Sequence, residues 1–353
     1  MKYSLKDFDY DLPDSLIATH PAKPRDHSRL LVLDKKTGAI EHKKFFEIID
    51  HLNEGDVLVM NDSKVIPARL FAGKAGTGGK VEVLLHKKLG TDSWQCLLGG
   101  RVKEGLQLEF GRGLSAQVEK NNEDGTWDLK FNKKEDSLME AIIRLGEMPL
   151  PPYIVSQRKI KKEKLKNISD KKNYQTVYAN DGKAGSVAAP TAGLHFTPKL
   201  IDKILAKGIK IEYITLYVGL GTFAPVKEDD ISKHKMHAEW VEIAQSTIKN
   251  LQSSIRNKKR VIAVGTTSAR ALEACFSDLP KKGAFKDWVD IFITPGYKFK
   301  IVDGLITNFH LPKSTLLMLV SALVGKANID KAYVEAVKKK YRFYSYGDAM
   351  FIS

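Results

Sequence analysis

The alternation of apolar, strand-like runs with helical segments is the feature that most constrains this sequence. Thr197 and Pro198 are typical of a helix start, and Gly208 of a helix end. Further helices are predicted from ARALEACF and from Thr315 onward, and strands from IKIEYITLYVG, VIAV, DIFITPG and GLITNF. Strands that alternate with helices predict an α/β fold with a mostly parallel sheet, in which ligands bind beyond the carboxyl ends of the strands.

A different pattern interrupts this alternation between residues 67 and 152. Short alternating segments there are separated by Gly, Asn and Asp turns: KVEVLLHKK, SWQCLLGG, LQLEFG, LSAQVEK and TWDLKFN. This spacing is typical of a small antiparallel sheet or barrel. We therefore predict a discontinuous α/β domain, residues 1–66 and 153–353, with a small antiparallel β-barrel domain inserted over residues 67–152.

The segments on either side of the insertion add three local predictions. Before it, RLLVLD and VLVM are predicted strands, and residues 43–52, KKFFEIIDHL, are predicted to form a helix. After it, residues 156–173 hold eight Lys or Arg against two acids. We interpret this basic segment as an exposed, mobile loop, either a solvated face or a contact for RNA phosphates.

The charge balance favours a polyanionic partner. Lys and Arg number 57 and Asp and Glu 42, a formal net charge of +15. A surplus of this size favours nucleic acid through the release of counterions from its phosphates. The alternative is a generically lysine-rich protein, so charge alone leaves both interpretations open.

Cysteine usage and hydropathy indicate the compartment. Cys96 and Cys275 show neither a CxxC nor a metal-type spacing, so we expect a reducing compartment and no zinc ribbon. The longest apolar run, residues 314–325, is too short to span a bilayer, and the N-terminus has no apolar signal core. We therefore expect a cytoplasmic protein that does not associate with membranes.

Two glycine-containing segments at predicted strand ends are candidate ligand sites. In VIAVGTTSARALE, the hydroxyls and free N–H groups of Thr266, Thr267 and Ser268 suit a carboxylate or a ribose, with Arg270 as a charge partner. In LYVGLGTFAPV, the bare backbone of Gly219 and Gly221 suits a flat ligand such as a purine. The alternatives are a structural helix cap and an ordinary turn. Neither GxGxxG nor a P-loop is present.

Histidines and carboxylates mark further candidate positions near predicted strand ends. His195 follows the small residues of SVAAPTAGLH, and His310 follows the strand in ITNFHLPK. SKHKMHAEW carries His237 and Glu239, which favour acid–base chemistry over a metal site because the HExxH spacing is missing. Asp62 ends the strand VLVM. Because all these clusters belong to one α/β domain, they predict a shared cleft.

These segments together resemble a known enzyme family. The motifs run in order from the FDYDLP opening to the C-terminus: NDSKVIPARL, YQTVYA, GSVAAPTAGLHFT, VGLGTFAPV, HKMHAEW, VIAVGTTSARALE, FITPGYKFKIVDGLITNFHLPKSTLLMLVSAL and YRFYSYGDAMFI. They are similar to those of the S-adenosylmethionine:tRNA ribosyltransferase-isomerases of queuosine biosynthesis. Tyr217 departs from the family, which usually has histidine in LHVG.

The resemblance implies a reaction, a fold and its substrates. The ribosyl part of S-adenosylmethionine would be transferred and isomerised onto 7-aminomethyl-7-deazaguanine at the wobble position of a tRNA. Epoxyqueuosine-tRNA, adenine and methionine would be the products. S-adenosylmethionine would be a co-substrate, and neither a prosthetic group nor a metal would be required. The family fold, an α/β domain with an inserted β-barrel, agrees with the pattern above. We expect a monomer.

The resemblance also suggests roles for the candidate residues. One base must remove a proton from the 5′-carbon beside the sulfonium, and an acid should help adenine depart. The candidates are His195, His237 and His310, with Glu239 as orienting group or acid and Asp62 in reserve. The methionine or ribose end of the co-substrate is assigned to Thr266, Thr267, Ser268 and Arg270, and adenine to Gly219 and Gly221.

The tRNA would be held through its phosphates. The candidate contacts lie in the barrel, the basic segment and the C-terminal tail: Arg69, Arg101, Lys103, Arg158, Lys161, Lys162 and Arg342. Two other classes of function stay open at this point. An S-adenosylmethionine-dependent RNA methyltransferase would release S-adenosylhomocysteine, and a non-catalytic RNA-binding protein would not need the histidines.

Overall fold

The computed structural model describes residues 3–163, 169–219, 226, 228–277 and 283–353. Among them, seventeen β-strands form a nine-stranded sheet, a closed six-stranded barrel and a two-stranded ladder. The α/β fold with an inserted antiparallel barrel is therefore confirmed. No helix within these described ranges is long and apolar enough to cross a membrane.

The large sheet is mixed, with parallel strands at its centre. Its strands are β1 (Arg29–Leu33), β2 (Ile40–Lys44), β3 (Val57–Asn61), β12 (Lys210–Leu216), β13 (Glu239–Ile243), β14 (Val261–Val264), β15 (Phe285–Val289), β16 (Gly304–Asn308) and β17 (Ala349–Ile352). They lie in the order β15-β13-β12-β3-β14-β16-β17-β1-β2. The central run β12-β3-β14-β16 is parallel, so the carboxyl ends of these four strands share one edge.

The central strands are apolar on both faces because both faces of the sheet are covered. In β3, Val57 and Val59 pack into one apolar cluster while Leu58 and Met60 pack into another on the opposite face. This two-sided burial is what a parallel sheet between helical layers requires. It explains why VLVM is a continuous apolar run and does not alternate with polar residues.

The barrel is formed by the inserted segment. Its strands are β5 (Arg69–Lys74), β6 (Lys80–Lys88), β7 (Ser93–Gly99), β8 (Gln107–Gly111), β9 (Leu114–Asn121) and β10 (Trp127–Phe131). They close in the order β10-β7-β6-β5-β8-β9, and alternate residues such as Val81, Val83 and Leu85 point into the barrel core. A short ladder outside the barrel joins β4 (Lys64–Val65) to β11 (Ala184–Ser186). The six barrel strands fall inside residues 67–152, while the domain boundaries themselves stay a prediction.

The described helices are α1 (Glu135–Leu145), α2 (Pro152–Ile160), α3 (Asp170–Asn173), α4 (Pro198–Ala206), α5 (Gln245–Arg256), α6 (Thr266–Cys275), α7 (Thr315–Val324) and α8 (Lys326–Lys338). Side-chain caps mark the starts of two of them, α4 and α7. Thr197 Oγ1 accepts the Leu200 N–H at 3.2 Å at the start of α4. Ser314 Oγ accepts the Leu317 N–H at 3.2 Å at the start of α7.

Three local predictions were wrong, the first two because pairing between strands decided the outcome. Within residues 43–52, β2 continues to Lys44 by pairing with β1, and a 3₁₀ helix, Phe45–His51, follows. Residues 290–296 are not a strand, because β13 begins at Glu239 opposite Val289 and offers no partner beyond it. The basic segment is not simply a loop, since α2 and α3 occupy its two ends. Its residues 164–168 lie outside the described ranges.

Candidate active site

The carboxyl ends of the parallel strands open onto a cavity of about 90 Å³, here called the sheet-end cavity. It is enclosed by the turn at residues 188–192, the start of α6, the residues after β16 and the C-terminal tail. Its polar lining residues are Thr191, Thr266, Thr267, Thr307, Asn308, His310, Ser314, Tyr344, Ser345 and Tyr153. The predicted meeting of separate polar segments at this edge therefore occurs for some of the candidates.

Asn308, the last residue of β16, is held on the cavity wall by a hydrogen-bond network. Its Nδ2 donates to the Tyr344 carbonyl and to His195 Nε2, both at 3.1 Å. Its Oδ1 accepts from Thr191 Oγ1 at 3.0 Å. Since His195 Nε2 accepts, Nδ1 carries the ring proton and donates to Ser28 Oγ at 2.7 Å. The amide of Asn308 is therefore fixed in one orientation.

His195 lies behind Asn308 and does not line the sheet-end cavity. Its ring stacks on Phe45 with 5.0 Å between ring centroids, and only 4% of the residue is exposed. Burial lowers the pKa of His195 to about 4, so the ring is uncharged at neutral pH. With both nitrogens engaged, His195 is placed to orient Asn308, not to reach a ligand.

The low pKa of His195 predicts an acid-sensitive fold. Because the pKa is about 6.5 in the unfolded chain and about 4 in the folded one, only the unfolded chain takes up this proton as pH falls from 6.5. The stability present above pH 6.5 is then lost towards pH 4, by on the order of 3 kcal/mol. The free energy of unfolding in urea should fall less between pH 7 and pH 4 in His195→Asn than in the wild type. An equal fall in both proteins would contradict this explanation.

His310 is the histidine that lines the sheet-end cavity. Its Nε2 lies 2.8 Å from Thr307 Oγ1. Its backbone N–H donates to Tyr333 Oη at 2.9 Å, and its carbonyl accepts from the Tyr10 hydroxyl. Burial lowers the pKa of His310 to about 3. The residue is therefore an uncharged imidazole on a rigid support, the form that accepts a proton.

The start of α6 presents unpaired donors to the same cavity. Gly265 precedes the helix at φ +93°, a conformation that favours glycine, and no side chain caps the first turn among the described residues. Thr267 is 9% exposed, and its Oγ1 has no hydrogen-bond partner in the described part of the chain. Thr266 also lines the cavity. Ser268 is fully buried and does not line it, and its Oγ donates to the Val264 carbonyl at 2.9 Å.

Arg270 and Glu239 form a buried ion pair. Arg270 Nη1 donates to Glu239 Oε2 at 2.5 Å, and Glu239 Oε1 accepts the Gly219 N–H at 3.2 Å. Arg270 also donates to the carbonyls of Ile291 and Val289. The guanidinium is thus committed to protein partners, which leaves little of it for the methionine or ribose end of a co-substrate.

A second, smaller opening, the bridging cavity, contains this ion pair together with three histidines. Its lining residues are His86, Gly219, His234, Met236, His237, Ala238, Glu239, Arg270, Thr315 and Leu316. His237 is exposed there, and Leu316 also lines the sheet-end cavity. The structure therefore places His237 and Glu239 beside the sheet-end cavity, not within it.

His86 is a site residue that the sequence interpretation missed. The β6–β7 ladder shifts register between Leu85 and Lys87, so His86 is the extra residue of a β-bulge. It projects from the barrel toward the sheet, and a Cβ on Gly219 would lie 3.2 Å from His86 Cε1. The signal in the sequence is the break in alternation within KVEVLLHKK, where inward-facing residues stop at Leu85.

The other candidates have distinct positions. Asp62 Oδ1 accepts from Thr215 Oγ1 at 2.7 Å, and Asp62 does not line the sheet-end or bridging cavity. Gly221 lies outside the described residues. Tyr217, the departure from the family motif, packs its ring over Gly185. Among the described residues, no group of three or more His, Cys, Asp or Glu is arranged to hold a metal ion.

The small residues of the turn before His195 line the sheet-end cavity and also allow close packing against Tyr178. Residues 188–192 line the cavity, but a Cβ on Gly193 would lie 1.9 Å from Tyr178 Oη. Gly193→Ala should therefore destabilise the protein by about 1–3 kcal/mol in thermal or urea unfolding. Because Tyr178 Oη has no partner among the described residues, adding Tyr178→Phe should recover part of the loss. No recovery would refute this steric explanation.

Comparison with known proteins identifies the family. A family model described as queuosine biosynthesis protein matches residues 5–352. The S-adenosylmethionine:tRNA ribosyltransferase-isomerase of Acetivibrio thermocellus is 49% identical over 352 residues, 99% of each chain. The chain belongs to this queuosine biosynthesis family. The enzyme of the same name from Clostridioides difficile is 50% identical over 351 residues, which cover 98% of this chain and 99% of that one.

A solved structure agrees with this family membership. The crystal structure of an S-adenosylmethionine tRNA ribosyltransferase from Thermotoga maritima is 40% identical, with a TM-score of 0.56. The match covers 98% of this chain and 100% of that one. The resemblance inferred from the motifs is confirmed, and this member of the family is an enzyme of the transferase class.

The basic candidates of this family member divide into side chains paired with a carboxylate and side chains that are exposed. Arg158 is fully buried and pairs with Asp170 at 2.7 and 2.9 Å, so it clamps α2 to α3 and does not face an RNA. Arg69 lies 3.2 Å from Glu82, and Arg342 donates to buried Asp348 at 3.1 Å. The remaining four are exposed: Arg101, Lys103, Lys161 and Lys162, of which Lys161 also donates to the Ile17 carbonyl at 3.2 Å.

Proposed function

We propose that this chain transfers and isomerises the ribosyl moiety of S-adenosylmethionine onto 7-aminomethyl-7-deazaguanine at the wobble position of a tRNA. The products are epoxyqueuosine-tRNA, adenine and methionine. The observation that carries the proposal is the sheet-end cavity, in which an uncharged histidine, a fixed amide and unpaired helix N-terminal donors converge. The full-length relationship to the named ribosyltransferase-isomerases supports it.

The start of α6 is the proposed anchor for the co-substrate. A carboxylate or a ribose hydroxyl would accept hydrogen bonds from the first-turn N–H groups and from Thr267 Oγ1. The helix dipole adds a favourable field for an anion at this end. The sheet-end cavity alone is smaller than a typical small-molecule site. The ligand therefore extends towards the bridging cavity, where Gly219 provides bare backbone for the adenine.

His310 is the proposed base for the 5′-carbon. Its low pKa reflects the cost of creating a positive charge in a buried site. With S-adenosylmethionine bound, the sulfonium already supplies that charge. Proton transfer from the 5′-carbon to the imidazole then moves a positive charge across the cavity without adding one. Burial weakens His310 as a base when S-adenosylmethionine is not bound, and it therefore opposes this transfer much less once the co-substrate is bound.

The remaining roles fall to neighbouring groups. Asn308, oriented by His195 and Thr191, positions the ribose or the base at the cavity wall. His237 is the proposed acid for the departing adenine because it is accessible in the bridging cavity. Glu239, held by its ion pair with Arg270, is the proposed orienting group in the same cavity. The aminomethyl nitrogen of the substrate attacks as the neutral amine. No step needs a metal or a prosthetic group.

The proposed RNA contacts are the exposed cations of the barrel loops and of the basic segment. Arg101 and Lys103 lie between β7 and β8, and Lys161 and Lys162 follow α2. Phosphate contacts from such side chains position an RNA without reading its sequence. We propose that the enzyme works in the cytoplasm, as a monomer, on tRNA carrying the modified base.

A product assay tests the proposal. The enzyme is incubated with S-adenosylmethionine and a tRNA that carries 7-aminomethyl-7-deazaguanine, and adenine and methionine are followed by chromatography. The control is the same tRNA with guanine at the wobble position. Release of both products only with the modified tRNA supports the proposal. Release of S-adenosylhomocysteine would indicate a methyltransferase, and tRNA binding without turnover would indicate a binding protein.

A further inference from the structure

A third opening, the barrel-side cavity, lies between the barrel and the edge of the large sheet. Its volume is about 380 Å³, within the range of small-molecule sites. Three of the four tryptophans of the chain line it. These tryptophans are Trp94, Trp240 and Trp288.

Trp94 lines this cavity and carries a buried indole N–H that has no acceptor within the described residues. The residue is 2% exposed, and its Nε1 has no hydrogen-bond partner in the described part of the chain. A buried indole N–H without an acceptor costs free energy, and it can only donate. A ligand that presents an acceptor, such as a carbonyl oxygen, would satisfy this donor.

The walls of the barrel-side cavity suit a flat ring. Trp240 and Trp288 meet edge to face, with 5.5 Å between their centroids. Trp240 is held in place because its Nε1 donates to Glu242 at 3.0 Å, and Glu242 pairs with Lys183 at 2.6 Å. Preorganised aromatic side chains of this kind stack on the exposed faces of nucleobases.

The rim of the cavity is cationic. Lys87 Nζ lies 4.1 Å from the Trp288 ring centre, and both Lys87 and Lys88 are exposed. An aromatic interior with a lysine rim matches a base carried on a phosphate backbone better than it matches a free sulfonium cation. The cavity also shares Val218 with the sheet-end cavity and Gly219 with the bridging cavity. A base seated here would therefore lie beside the proposed reaction centre.

We propose that the barrel-side cavity binds an extruded 6-oxopurine-type base of the RNA substrate, stacked on its aromatic walls, with the carbonyl oxygen accepting from Trp94 Nε1. This inference rests on the proposed function, because it assigns a binding site to the base that the proposed reaction modifies. Trp94 is then a specificity residue: its donor favours a 6-oxo group over the 6-amino group of adenine. The barrel contributes to recognition of the base as well as to phosphate contacts.

The test compares Trp94→Phe with Trp127→Phe, a half-buried tryptophan of β10 that does not line the cavity. Both variants lose one indole N–H from the barrel. With an anticodon stem-loop that carries 7-aminomethyl-7-deazaguanine, Trp94→Phe should raise KM for the RNA about 10-fold, the value of one hydrogen bond. KM for S-adenosylmethionine should stay within about 2-fold. Trp127→Phe should leave both unchanged, and equal effects of the two variants would overturn the inference.

Tryptophan fluorescence gives a readout that does not depend on turnover. Titration with the free base 7-aminomethyl-7-deazaguanine should quench the wild type and Trp127→Phe alike, and should bind Trp94→Phe more weakly. Absence of quenching in the wild type, or full displacement of the base by S-adenosylmethionine, would overturn the inference. If the base quenches the fluorescence but the product assay shows no release of adenine, the cavity assignment is supported and the proposed reaction is not.

A second variant guards against misfolding of Trp94→Phe. Trp288 is 45% exposed at the mouth of the cavity, so Trp288→Ala should leave the thermal unfolding midpoint unchanged. It should still raise KM for the modified stem-loop severalfold, because a stacking wall is lost. An unchanged KM in this folded variant would count against the assignment.

Discussion

Replacing His310 with alanine is expected to lower kcat for adenine release by about 100-fold or more, within the range for loss of a general base. The reason is positional. Among the described residues, His310 is the one imidazole that lines the sheet-end cavity, and its backbone is fixed by Tyr333 and Tyr10. KM for S-adenosylmethionine should change little, because the imidazole acts on the transition state more than on binding.

Proton exchange separates a base from a merely structural role. In deuterated water with a non-reactive tRNA, the wild type should exchange the 5′-protons of S-adenosylmethionine, and His310→Ala should not. His27→Ala, at an exposed histidine that does not line the sheet-end cavity, is the matched control and should exchange normally. A folded His310→Ala enzyme that exchanges at the wild-type rate would rule His310 out as the base.

Replacing Arg270 with alanine is expected to destabilise the protein by about 3–5 kcal/mol. The substitution removes the guanidinium of Arg270 from the buried carboxylate of Glu239, which is 5% exposed. It also removes the donors that tie α6 to the carbonyls of Val289 and Ile291. The loss is measured as the free energy of unfolding in urea.

The double variant Arg270→Met with Glu239→Gln is the informative control. It removes both charges and keeps similar volumes, so it should be more stable than Arg270→Ala alone, because an uncompensated buried charge costs more than a missing pair. A loss below about 1 kcal/mol in Arg270→Ala would contradict this account. It would also reopen the assignment of Arg270 to the co-substrate.

Local pattern was sufficient for the architecture. Strand–helix alternation, the run of short alternating strands after residue 67 and caps such as Thr197 and Ser314 depend on neighbours a few residues away. These features predicted the α/β sheet, the inserted barrel and the start of α4. At residues 43–52 the local pattern predicted a helix. Pairing of β2 with β1 extends the strand to Lys44 instead, so the local prediction was wrong.

The sequence named candidate residues for the site but could not choose among them for each role. Polar side chains at the ends of parallel strands were expected to meet, and Thr266, Thr267, Asn308 and His310 share one cavity. Nothing local distinguishes His310 from His195, which lies behind Asn308. Likewise, Arg158 belongs to a basic segment in the sequence, yet Asp170 and burial keep it from the surface.

The sequence by itself determined the fold class, the inserted barrel and the family, because these follow from periodicity and from contiguous motifs. Only the tertiary structure decided which groups face a ligand. The decisive contacts join residues far apart in the chain: Asn308 with His195, 113 positions away, and Arg270 with Glu239, 31 positions away. His86 reaches the site from another sheet through a bulge. Burial and pairing set the charge and access of each group, and both arise only when distant segments pack together.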